Sequence, residues 1–163
     1  MKHALKVTTP TDLQIVMTRE FDAPRKLVWD AMSKPDLLRR WIFCPPGWNM
    51  TRCDDDPRVG GTFHWEWSGP DGRPAMAMKG EYREVTPPER IVRTERFEME
   101  SCGGMIGEQV VTLALTESGG KTQLTLTLDY ATKEARDGAL ASGMERGVGA
   151  GYDQLDALLA ERV

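Results

Sequence analysis

The chain has 163 residues, 40% of them apolar and 28% charged, with a formal net charge of −4. That size suits one domain with a substantial core, and the acidic balance excludes a protein built to neutralise nucleic-acid phosphates. There is no run of about 18 apolar residues to span a membrane. The opening MKHALKVTTPTDLQ has no apolar segment of signal-peptide length, so a cytoplasmic protein without membrane insertion is expected.

Residues 1–11 are predicted to be an N-terminal arm, and residues 12–163 a single domain. A first strand is expected in DLQIVMTREFD, where Leu13, Ile15, Met17 and Arg19 alternate with Gln14, Val16 and Thr18. FDAPRKLVWDAMSKPDLLRRWI then reads as two short helices, with Pro24 suited to a first helical turn. Leu27, Val28, Ala31 and Met32 form an apolar face, and Leu37, Leu38 and Trp41 form one on the second helix. Pro35 ends one helix and begins the next, with Ser33 and Asp36 available as caps.

From CPPGWNM to Tyr130 the texture is that of about six strands, with GPDG and ESGGKT supplying turns. Leu124, Leu126, Leu128 and Tyr130 share one face of the last strand, the cleanest period-two pattern in the chain. One long helix from about Thr132 to Glu161 is expected to follow. The order defines an α+β domain in which a meandering antiparallel sheet has one apolar face. Only the final helix is long enough to cover that face.

That helix contains an anomaly. Gly143, Gly147, Gly149 and Gly151 fall close together in SGMERGVGAGYDQL, and each glycine is roughly 1 kcal/mol worse than alanine inside a helix. On a wheel of about 100° per residue, Leu140, Gly143, Met144, Gly147, Val148, Gly151, Tyr152, Leu155, Leu158 and Leu159 share one side. Gly149, Asp153 and Asp156 lie away from it. Two readings stay open: close packing of the helix backbone against bulky partners, or a hollow between helix and sheet.

The facing strands supply the bulk. Phe63, Trp65 and Trp67 share a face, which leaves His64 and Glu66 outside. Met76, Met78, Gly80 and Tyr82 continue the face on the next strand, and Phe97 and Met99 on the one after. Methionine and tryptophan together make an adaptable apolar wall. The candidate ligand-binding set is Trp41, Phe63, Trp65, Trp67, Met76, Met78, Tyr82, Phe97, Met99, Gly143, Met144, Gly147 and Gly151.

Arg93 and Glu95 share parity with Ile91, Phe97 and Met99 and so approach the apolar side. They are the weak catalytic candidates, with simple mutual pairing as the favoured reading. Asp54, Asp55 and Asp56 alternate faces along a strand and cannot converge on one ion, so they read as a solvated strand end. Cys44, Cys53 and Cys102 form no CxxC pair and read as reduced thiols. His3 and His64 belong to no ligand or catalytic motif, and neither a metal nor a cofactor is expected.

The segments FDAPRKLVWDAMSKPDLLRRW, VGGTFHWEWSGPDG, KGEYREVTPPERIVRTERF and TKEARDGALASGMERGVGAGYDQLDALL carry a family likeness. They resemble the bacterial proteins related to the activator of heat-shock protein 90 ATPase, C-terminal-domain type, of the START-like or Bet v 1-like (SRPBCC) superfamily. The resemblance spans about Leu13 to Leu159. It implies the helix-grip fold, a curved antiparallel sheet wrapped around a long C-terminal helix with two short helices after the first strand. It also implies a small hydrophobic or aromatic ligand between helix and sheet. Cyclase- or hydrolase-type catalysis on such a ligand, or a chaperone-associated stress role, are the alternatives. The family provides no catalytic set to map here. A chaperone partner and a homodimer are both compatible with the chain, which does not choose between them.

Overall fold

The computed structural model describes residues 3–42, 44–99 and 104–162; Cys102 lies outside the described residues. The elements are β1 (Lys6–Thr8), β2 (Gln14–Phe21), α1 (Arg25–Ser33), α2 (Pro35–Trp41), β3 (Asn49–Asp55), β4 (Thr62–Ser68), β5 (Pro74–Thr86), β6 (Arg90–Met99), β7 (Gly104–Ser118), β8 (Lys121–Asp129), α3 (Lys133–Ala141) and α4 (Met144–Arg162). All eight strands form one antiparallel sheet in the order β1-β2-β8-β7-β6-β5-β4-β3. The β2–β8 pairing joins the start of the domain to its end, and α1 and α2 occupy the crossover between β2 and β3.

The expected alternations hold. Ile15, Met17, Arg19 and Phe21 of β2 are buried, as are Leu124, Leu126 and Leu128 of β8 and Tyr130 just beyond it. Tyr152, Leu155, Leu158 and Leu159 of α4 join them in one core with Val28, Trp29, Ala31 and Met32 of α1. Each such aliphatic side chain removed from water contributes about 1.5–3 kcal/mol. Edge-to-face contact of Phe21 with Tyr152, 5.6 Å between ring centres, fastens the helix to β2.

Several expectations need correction. The single C-terminal helix is two. α3 starts at Thr132, whose hydroxyl accepts from the Ala135 N–H, and ends at Ser142. Gly143 follows with φ +78°, a left-handed conformation that side chains disfavour and that terminates helices. Gly143 is therefore the break and not a member of the stripe, while Gly147 and Gly151 lie within α4.

The arm is not wholly loose, because Lys6–Thr8 pair with Val16–Thr18 and extend the sheet. Leu5 lies beside Gly149, 3.8 Å from where a Cβ would stand, so this outward glycine runs beneath the arm. Neither Ser33 nor Asp36 caps a helix. Ser33 instead bonds back to the Trp29 carbonyl, and α2 begins with Pro35 after an uncapped Lys34. Asp156, placed away from the apolar face by the wheel, is buried because Arg19 of β2 is buried opposite it and the two pair.

Candidate functional site

Side chains opposite one another in an antiparallel ladder project to the same face, so the register sorts the inner wall into rows. Met50, Trp67, Met76 and Met99 form the first row across β3 to β6. Cys53, Trp65, Met78 and Phe97 form the second. Asp55, Phe63 and Gly80 come next, with Glu95 and Gln109 paired beside them. Tyr82, Arg93, Val111, Leu128 and Ile15 form the row after that. The wall thus runs from thioether and indole at one end, through a polar band, to aliphatic packing.

The structure brings together Phe63, Trp65, Trp67, Met76, Met78, Tyr82, Phe97 and Met99 on this wall. Phe63, Trp65, Trp67 and Tyr82 are buried, whereas Met76, Met78, Phe97 and Met99 keep partial exposure although they face inward. Leu140, Met144, Gly147 and Val148 on the helix side are half-buried too. Trp41 closes one flank, its ring 5.8 Å from that of Tyr152 and its indole N–H donating to the Ala31 carbonyl at 2.8 Å. Gly151 is buried in α4. Gly143, in the interhelical turn, has open space where a side chain would project.

Glycine is required at position 80. A Cβ there would stand 1.8 Å from the Thr94 carbonyl oxygen and 2.6 Å from the Phe63 ring. The missing side chain lets that ring lie over the strand, in contact with Trp65 and Tyr82 at 4.7 and 5.8 Å.

Arg93 sits against this aromatic group, its guanidinium 5.1 Å from the Phe63 and Trp65 ring centres and 5.9 Å from that of Tyr82. Its Nε donates to Glu95 Oε2 at 2.9 Å, and Nη2 forms an ion pair with the same oxygen at 2.8 Å. Gln109 donates to Glu95 Oε1 at 2.8 Å. The two charged side chains are only 11% and 8% exposed. Burial alone would drive Arg93 toward its neutral form, but the carboxylate of Glu95, with Asp55 adding to it, more than reverses this and holds it charged. Since both Glu95 oxygens are occupied by fixed donors, pairing is the role the geometry supports.

Asp55 corrects the reading of its triplet as a solvated end. It turns inward, accepts from the Tyr82 hydroxyl, and accepts from the Trp65 indole N–H at 3.1 Å. Burial raises its pKa, opposed by those hydrogen bonds and the Arg93 charge. Burial likewise raises the Tyr82 hydroxyl. The hydroxyls of Tyr130 and Tyr152 are raised first by burial and further by the Glu95 charge, with Arg93 acting oppositely on Tyr152. The polar band therefore includes Asp55, Gln109, Tyr130 and Tyr152, none of them in the candidate set. Three had a signal: Gln109 shares parity with Val111, Leu113 and Leu115, and both tyrosines lay on apolar faces.

His64 lies on the outer face as expected, although it is half-buried there; burial lowers its pKa, as do Arg52 and Lys79. An open groove of about 570 Å³ on that face is lined by Arg52, Asp54, His64, Lys79, Arg96 and Glu108 among others. Its cations are already committed: Arg52 to Asp54 at 2.5 Å, and Lys79 and Arg96 to Glu98 at 3.0 and 3.5 Å.

A curved antiparallel sheet holding a C-terminal helix, with two short helices after its first long strand, is the helix-grip architecture of the Bet v 1-like (SRPBCC) proteins. The chain belongs within it to the family described as activator of Hsp90 ATPase homolog 1-like protein, whose model matches residues 22–160. Solved structures agree over nearly the full length. A Rhodobacter sphaeroides protein is 34% identical, with TM-score 0.85, over 96% of this chain and 98% of its own. A Mycobacterium smegmatis protein is 29% identical, with TM-score 0.81, over 96% of each chain. An Arthrobacter aurescens protein is 26% identical, with TM-score 0.80, over 96% of this chain and 91% of its own. No curated protein matches the chain. Among the described residues, no helix is long and apolar enough to cross a membrane.

Proposed function

We propose that the protein binds a small hydrophobic or aromatic molecule between α4 and the inner face of the sheet. The observation that carries this reading is the partial exposure of Met76, Met78, Phe97 and Met99. These four side chains face the covered side of the sheet and still retain access to solvent. Flexible thioethers suit a wall that reshapes around its guest.

Thermal-shift measurements against a library of apolar aromatic compounds test this, with Gly147→Leu as the control that fills the helix side. Stabilisation of the native protein that is lost in the variant supports the reading. No stabilising compound, or binding untouched by the variant, sinks it.

Catalysis on the guest is the weaker reading, since both Glu95 oxygens already accept from Arg93 and Gln109. The family name favours a chaperone-linked role as a second reading. Capture of the cognate heat-shock protein 90 by the purified protein tests it, and failure to co-purify counts against it.

A further inference from the structure

Two buried side-chain polar atoms among the described residues lack a hydrogen-bond partner, Nε2 of His64 and Nε1 of Trp67. They differ in kind. His64 is on the outer face with the Glu66 carboxylate 3.5 Å away, and its side chain is 22% exposed. Trp67 is 5% exposed and belongs to the first row of the inner wall, between Met50 and Met76.

Buried indole N–H groups ordinarily find an acceptor, and two others in this protein do. Trp41 donates to the Ala31 carbonyl and Trp65 to Asp55. Trp67 is flanked across the strands by methionines, whose thioether sulfur is at best a weak acceptor. The domain thus keeps one desolvated donor in the most apolar part of its wall, where a buried unmade hydrogen bond is costly. A Phe would have filled the row without that cost.

We infer that Trp67 Nε1 is the polar recognition point of the site. The ligand class it selects is an apolar molecule carrying one neutral hydrogen-bond acceptor, such as a ketone or ester oxygen. A neutral acceptor fits better than an anion, because Arg93, the cation that the sheet's inner wall carries beside Phe63 and Trp65, is already paired with Glu95, and an unpaired anion among methionines would be poorly solvated. The thioethers flanking Trp67 are flexible enough to move aside and expose the donor. The inference rests on the ligand-binding reading above and narrows it.

The test compares two probes of matched shape, 2-acetylnaphthalene and 2-isopropenylnaphthalene, titrated into the full chain. Binding is followed together with the indole N–H resonance of Trp67, identified by its absence in Trp67→Phe. The ketone is expected to bind about tenfold tighter, the worth of one hydrogen bond to an otherwise unmet donor. It should also shift the Trp67 indole proton downfield, while the hydrocarbon leaves it in place, and Trp67→Phe should erase the preference. If both probes bind equally and the indole proton does not respond to the ketone, the inference falls and the ligand-binding reading survives. If neither binds, both fall. Should Trp67→Phe fail to fold, the wild-type comparison still decides, with the resonance assigned through its contacts to Met50 and Met76.

Discussion

Arg93 pairs with a single oxygen of Glu95, donating from Nε at 2.9 Å with Nη2 2.8 Å from the same atom, in the polar band of a wall that also carries aromatic rings and thioethers. Removing one partner leaves a buried charge unanswered, which typically costs 3–5 kcal/mol, whereas replacing both with apolar groups is often neutral. Glu95→Leu is therefore expected to lose about 3–5 kcal/mol in urea denaturation, and Arg93→Met with Glu95→Leu to recover most of it. Additive losses in the double variant would contradict the pairing.

A second buried pair joins sheet and helix. Arg19 is 1% exposed and faces both Asp156, 7% exposed, and Asp153, 70% exposed. Asp156→Ala should cost about 3–5 kcal/mol, and Asp153→Ala less than about 1 kcal/mol because solvent screens it. Equal effects in chemical denaturation would show that burial does not control this contact.

Asp55 gives the fold a defined pH dependence. Its pKa is raised, with burial the largest cause, so in the folded protein it holds its proton to higher pH than in the unfolded chain. Between the two values the native state binds more protons, and the stability attributable to this group falls as pH rises through that interval. Asp55→Asn abolishes the titration. The stability of the wild type relative to this variant should be greatest in acid and decline toward neutrality, measured by urea midpoints from about pH 4 to 7. A constant or rising difference would overturn the assignment.

Gly143 separates two accounts of the C-terminal region by sign. In an unbroken helix, Gly143→Ala would stabilise by about 1 kcal/mol. At φ +78° the same change is expected to destabilise by about 1–2 kcal/mol. The shift in melting temperature decides between them.

That break shows where sequence reasoning reached its limit. Periodicity found the strands from β2 to β8 and their inner faces, because alternation such as that of Leu124, Leu126, Leu128 and Tyr130 answers to burial alone, but it missed β1, whose three residues are too few to show a period. The apolar wheel positions of Leu140 and Met144 also continue across the turn, so nothing in the pattern marks Gly143 as left-handed. The polar band was hidden for a related reason. Asp55 is of a residue type found mostly at surfaces, and only its three-dimensional partners, Tyr82 and Trp65, explain its inward turn; the burial of Asp156 likewise answers to Arg19. Arg93 and Glu95 were visible because their parity with Ile91 and Phe97 left no other face for them.

The central claim is that the wall lined by Met76, Met78, Phe97 and Met99 admits a guest. Methyl-labelled methionine NMR during titration with an aromatic ketone reads it most directly. The account expects shifts at Met76, Met78, Met99 and Met144, with Met17 and Met32, buried in the packed core, unmoved. Saturating ligand that leaves those four methyls unchanged would contradict it.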